Sequence, residues 1–155
     1  MSEFFSEAWL QAYREAWNQE PGLRDALARV GFTARVGFGM IDEKEPRGVL
    51  TVVDGTVTAT GPGDGRALDW DLRAPAEVWQ RWLANPPGMI ALGAAYTVGD
   101  LRFVAGDYAG MIKDSRLAGP FVKSFQVMAR ITGGLDSSLS KKGGAYVEKN
   151  GSVSP

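Results

Sequence analysis

YTVGDLRFVAGDYAGMIKD, residues 96–114, holds two Gly-Asp steps seven residues apart, Gly99-Asp100 and Gly106-Asp107. Between them Leu101, Phe103 and Ala105 alternate with Arg102 and Val104, the period-2 pattern of a half-buried strand. Two carboxylates that share acid–base work must meet in one cleft. Seven residues of extended chain hold their ends about 23 Å apart. Asp100 therefore reads as part of the turn entering a strand. Asp107 reads as the N-cap of a short helix over 108–115, its carboxylate accepting a backbone N–H.

Working outward from that stretch, residues 3–18 place Phe5, Trp9, Ala12 and Ala16 at steps of three or four, with Glu and Gln on the other side. This predicts an amphipathic helix stopped at Pro21-Gly22, with a few more helical residues over 23–30. Alternating residues over 32–38 then predict a strand, and 48–53 a second. Asp54-Gly55 is a strong hairpin signal leading into a third strand over 56–60. After a Gly-rich loop, residues 67–73 predict a fourth, with Leu68, Trp70 and Leu72 facing inward and Asp69, Asp71 and Arg73 facing solvent. Pro75 starts a helix whose apolar stripe is Val78, Trp79, Trp82 and Leu83. Residues 89–97 predict another helix, and Gly119-Pro120 opens a last one that Gly133-Gly134 closes. Strands and helices in segregated runs indicate an α+β domain, its sheet mainly antiparallel and its helices covering one face. The domain is expected over 1–134, followed by a flexible polar tail over 135–155.

Composition narrows the chemistry. The 155 residues are 45% hydrophobic and 23% charged with a net charge of −1, as in an ordinary globular domain. Such a chain has no general attraction to phosphate backbones, so no nucleic-acid partner is expected. There is no Cys and no His, which removes thiolate nucleophiles, imidazole bases and the usual transition-metal ligands. The opening residues do not read as a signal peptide, and no run is long enough to span a membrane. A cytoplasmic location is the expectation.

Few motifs remain. Asp69 and Asp71, with Asp64 upstream, have a spacing that divalent cations use, but it equally describes a solvated strand face. Gly37-Phe38-Gly39 and the loop over 61–65 lack the spacing of a dinucleotide or phosphate loop and read as bulge and loop glycines. Neither cofactor nor metal is expected. What stands out is the number of bulky side chains in the second half, among them Trp79, Trp82, Phe103, Met111 and Phe121. They suit a plain core, and collectively also a cavity that adapts to apolar ligands.

Residues 69–114 resemble the sterol carrier protein type two family. The resemblance rests on the helices over 75–84 and 89–97 and on the segment Gly99-Asp100-Leu101-Arg102-Phe103-Val104-Ala105-Gly106-Asp107 with the helix after it. Family members often carry Lys where this chain has Asp100. The resemblance implies a five-stranded sheet with helices around an apolar tunnel. It also implies no catalysis and a ligand such as a fatty acid, a fatty acyl-CoA, a sterol or an isoprenoid lipid. On that reading Val78, Trp82, Leu83, Met89, Leu92, Phe103, Met111, Phe121, Phe125 and Met128 line the tunnel, and Tyr96 offers its hydroxyl to a polar ligand end. Two alternatives stay open. One is an enzyme or accessory subunit acting on lipid or CoA thioesters through Asp69, Asp71, Tyr96 or Arg102. The other is a module that docks a partner enzyme and has its pocket filled by side chains.

Overall fold

A computed structural model describes the backbone of residues 4–143 and the side chains of residues 4–132. Helix α1 (Glu7–Asn18) begins at Ser6, whose hydroxyl accepts the Trp9 N–H. A π-helical turn (Pro21–Asp25) runs into α2 (Ala26–Arg29). Strands β1 (Ala34–Met40), β2 (Gly48–Val53) and β3 (Thr56–Gly61) follow as two hairpins. Asp54 and Gly55 take φ of 48° and 82° at the second turn, the positive pair that a tight hairpin favours. Strand β4 (Trp70–Ala74), α3 (Ala76–Ala84), α4 (Met89–Val98), β5 (Arg102–Ala105), α5 (Tyr108–Lys113) and α6 (Ser115–Gly143) complete the order.

The sheet order is β3-β2-β1-β4-β5, and it is mixed rather than mainly antiparallel: β4 lies parallel to β1 at the centre. The connection explains why. Residues 62–69 leave β3 beside the start of β2 and must reach the opposite end of β1, so they cross the outer face of the sheet. Gly37 and Gly39 make room for the crossing. A Cβ at Gly39 would lie 2.9 Å from the Pro46 Cα, and one at Gly37 would lie 2.7 Å from the Leu68 Cδ1. These glycines are no bulge: both stand in regular pairing within β1, and their missing side chains let residues 41–47 and 62–69 lie flat against the strand.

Two further expectations change on this outer face. Leu68 precedes β4 and packs over Gly37, away from Trp70 and Leu72. Asp71 and Arg73 are not solvated but buried, at 4% and 3% exposure. The Arg73 guanidinium donates to both carboxylate oxygens of Asp71, at 2.7 and 3.0 Å, and to the carbonyls of Met40, Glu43 and Lys44. A buried pair is tolerable when its donors and acceptors are this fully used. Asp69 accepts the Arg35 N–H at 2.8 Å and so extends the ladder beyond β4.

The inner face carries Val36, Phe38, Leu50, Val52 and Leu72 and is covered by α1, α3 and α6. Rings dominate this core. Phe5 stacks on Phe38 with centroids 5.6 Å apart, and Trp79 stacks on Phe125 at 6.3 Å. Three of the indoles and the buried phenol find acceptors, as burial favours. The indole N–H groups of Trp9, Trp17 and Trp79 donate to the Thr132 hydroxyl and to the Gly55 and Gly39 carbonyls. The Tyr13 hydroxyl donates to the Ser124 carbonyl, and burial pushes its pKa well up.

The last helix is longer than its sequence suggests. It starts at Ser115, because Asp114 accepts the Arg116 N–H on its carboxylate and the Leu117 and Ala118 N–H groups on its carbonyl. Pro120 therefore stands inside the helix, not at its start. The helix also continues through Gly133-Gly134 to Gly143. Beyond Gly143, the tail expected over 135–155 falls outside the described residues.

Gly39→Ala is expected to destabilise by about 1–3 kcal/mol through overpacking against backbone. Gly61→Ala, with open space around its Cβ, should change stability by no more than about 0.5 kcal/mol; urea midpoints compare the two. In the crossing loop, the Arg66 backbone N–H and guanidinium hold the Asp64 carboxyl down at about 2, from 3.8. A depressed pKa stabilises above the unfolded value and loses that contribution as pH falls from about 4 towards about 2. Asp64→Asn should flatten that limb of an acid-denaturation curve.

Candidate apolar ligand site

The alternation of the central strands aims Val36 and Phe38 of β1, Trp70 and Leu72 of β4 and Phe103 of β5 at one side of the sheet. Near the end of the helical layer these side chains meet a cavity of about 70 Å³. Trp17, Leu23, Leu27 and Phe32 close one side. Met111 of α5 and Leu117, Pro120, Phe121 and Ser124 of α6 close the other.

None of these fourteen lining residues is charged. The Ser124 hydroxyl donates to the Phe121 carbonyl at 2.6 Å, and the Trp17 indole N–H donates to the Gly55 carbonyl at 2.9 Å. Both donors are thus already used, while a buried water needs about two to four polar partners, so the space suits hydrocarbon. At 70 Å³ it has room for about two water volumes. Ligand pockets run from about 300 Å³ upward. The tunnel expected from the sequence is thus not an open channel here. Trp79, Trp82 and Phe125 pack together deeper in the layer.

Two parts of the wall are thin. Helix α5 has six residues, of which only Met111 is buried. The Gly99–Asp107 frame holds this helix in place. Gly106 takes φ of 107°, and the Trp70 ring lies against it so closely that any Cβ would collide. Asp107 caps α5, accepting the Gly110 N–H at 3.0 Å, as the sequence predicts. The second thin part is the π-helical turn with α2. The Glu20 carboxylate accepts the Gly22 N–H and pairs with Arg130 of α6 at 3.1 Å, and both lower its pKa.

The sequence-predicted residues fall in three places. Phe103, Met111 and Phe121 line the cavity. Val78, Trp82, Leu83, Leu92, Phe125 and Met128 are buried in the core beside it. Met89 and Tyr96 are exposed, at 38% and 42%. Tyr96 stacks on Tyr108 with centroids 4.1 Å apart, and both rings touch Phe103. The Tyr108 hydroxyl pKa is raised by burial and by Tyr96. The polar residues of the enzyme reading do not gather at the cavity. Asp71 is committed to Arg73 and Asp69 to Arg35 on the outer side of the sheet, while Arg102 is exposed. Among the described residues no cluster of His, Cys, Asp or Glu is set to hold a metal ion.

Sequence reasoning looked for the site in the second half and missed the wall from the first. Leu23 and Leu27 stand four apart after Pro21-Gly22, a short apolar stripe that signalled this wall. Trp70 and Phe32 were legible as inward strand residues but not as neighbours, because the parallel pairing that joins them is non-local.

Comparison with protein-family models and with curated proteins yields no match. Solved structures do match. The crystal structure of a sterol carrier protein 2 aligns with a TM-score of 0.64 and 22% identity, covering 82% of this chain and 98% of that one. The solution structure of a conserved hypothetical protein from Thermus thermophilus, suggested to be a sterol carrier protein, aligns at 0.58 and 21%, covering 83% and 87%. The fold is therefore that of sterol carrier protein 2.

Asp107→Ala should cost about 1 kcal/mol by uncapping α5. Hydrogen exchange is expected to speed up at the Gly110 and Met111 amides and to stay unchanged in α3.

Proposed function

We propose that this protein binds an apolar ligand of the lipid class without transforming it. The ligand inserts between the inner face of the sheet, α2, α5 and the first turns of α6. The observation that carries this reading is a cavity with no charged wall residue and its Ser124 and Trp17 donors already satisfied. It stands in a fold shared with a protein named for carrying sterols. Fatty acids, fatty acyl-CoA thioesters, sterols and isoprenoid lipids share the feature this site selects, a long hydrocarbon body.

Size sets the mechanism. An acyl chain of about twelve methylenes gains about 10 kcal/mol on leaving water, but 70 Å³ admits only a small part of it. Binding must therefore displace wall, and α5 is a wall with a single buried side chain: Met111 withdraws and the chain takes its place. The polar end stays outside, because the lining has no charged side chain to receive it.

Titration with a fluorescent fatty acid should saturate, and Val36→Phe, which fills the cavity from β1, should weaken binding at least about tenfold. Absence of saturable binding would sink the proposal. A second reading, a docking module whose pocket its own side chains fill, is favoured by the small volume of the cavity. Lipid mass spectrometry of extracts of the purified protein separates the two, since that module would carry no lipid.

A further inference from the structure

Residues 82–99 contain no Asp, Glu, Lys or Arg. They include the whole of α4, Met-Ile-Ala-Leu-Gly-Ala-Ala-Tyr-Thr-Val, in which only Leu92 and Ala95 are buried. At about 100° per residue, Ile90, Ala91, Ala94, Thr97 and Val98 form one stripe about 120° wide, outside the sector of those two. Ile90 is 88% exposed and Val98 is 72% exposed. On an ordinary surface helix that stripe is polar, as it is on α1, where Glu7, Gln11 and Glu15 occupy it. Here it is hydrocarbon. Its one polar side chain, Thr97, spends its hydroxyl proton on its own helix, donating to the Gly93 carbonyl at 3.0 Å.

We propose that α4 is the surface on which this protein meets a lipid bilayer, its stripe lying in the interfacial layer. The inference rests on the lipid-binding reading above and supplies that ligand's route. Three observations select a bilayer over a protein partner. A ten-residue helix is about 15 Å long and about 10 Å across, so its outward half presents roughly 240 Å². A stable dimer buries about 800 Å² per partner. The stripe's one hydrogen-bonding side chain, Thr97, is tied to its own helix, whereas a protein interface carries about one hydrogen bond per 100–200 Å², and a hydrocarbon layer asks for none. Finally, the surface is continuous with the cavity. The Tyr96 ring at the edge of α4 touches Phe103, and Phe103 meets Phe121 with centroids 6.0 Å apart in the cavity wall. An acyl chain moving from α4 to the cavity slides along rings and does not cross open water.

Flotation of the full chain with vesicles of phosphatidylcholine alone, and with added phosphatidylserine, tests this. The protein should partition onto the neutral vesicles. The double variant Ile90→Asp, Val98→Asp changes two exposed side chains and should lose at least about tenfold in partitioning. Its titration with a fluorescent fatty acid added from solution should match that of the unaltered protein. Vesicle binding that survives the double substitution, or that requires phosphatidylserine, overturns the proposal. So does a dimer in light scattering that the substitutions convert to monomer, which assigns the stripe to a second copy. Saturable fatty-acid binding without any vesicle partitioning overturns the bilayer surface alone. Partitioning that depends on α4 but comes without fatty-acid binding upholds this surface and overturns the cavity reading alone.

Discussion

The outer face of β1 carries no side chain at Gly37 or Gly39, and the path of the chain depends on that gap. Pro46 and Leu68 occupy the space two side chains would have filled. With the gap closed, residues 62–69 could not cross, β4 could not lie parallel to β1, and Trp70 would not stand beside Val36. Arg73 then ties the loop after β1 to β4. It binds Asp71 with two bonds and three carbonyls of residues 40–44 with the rest of its donors. Such a pair specifies geometry more than it adds stability, since desolvation consumes most of its Coulombic gain.

Because loops close the outer face, the helices that pack on the sheet lie together on the inner one. The resulting layer is unevenly dense. Around α1, α3 and the middle of α6, stacked and edge-on rings fill the space, with the polar groups of Trp9, Tyr13 and Trp79 bonded. Towards α2 and α5 the helices are short, and each buries a single side chain, Leu27 and Met111. Local opening follows buried contact, so the thin end is where this layer opens most readily, and the ring-packed end holds the sheet in shape.

Much of this was legible from periodicity. Phe32, Ala34, Val36 and Phe38 announced β1, Val78, Trp79, Trp82 and Leu83 announced α3, and the Gly-Asp steps announced the frame of β5 and α5. Each is a local pattern with a local cause. Three readings failed, two of them because a distant segment packs over the strand. Asp71 and Arg73 alternate as solvent residues do, but a distant loop covers them. Pro120 looks like a helix start, but Asp114 had already capped the helix. Gly37 and Gly39 look like interruptions, although what matters is what lies on top of them. The cavity was half legible: Phe103, Met111 and Phe121 belong to it, while Leu23, Leu27 and Trp70 joined it through the non-local pairing of β4 with β1.

The sequence by itself determined the elements, their order, the α+β class and the absence of imidazole and thiol chemistry, because periodicity, caps and residue inventory are properties of the chain. Tertiary structure alone decided the parallel pairing, the burial of the Asp71–Arg73 pair, the small volume of the cavity and the exposure of α4. These depend on which distant segments meet across the sheet, and the alternation of residues along one strand carries no record of what lies above it.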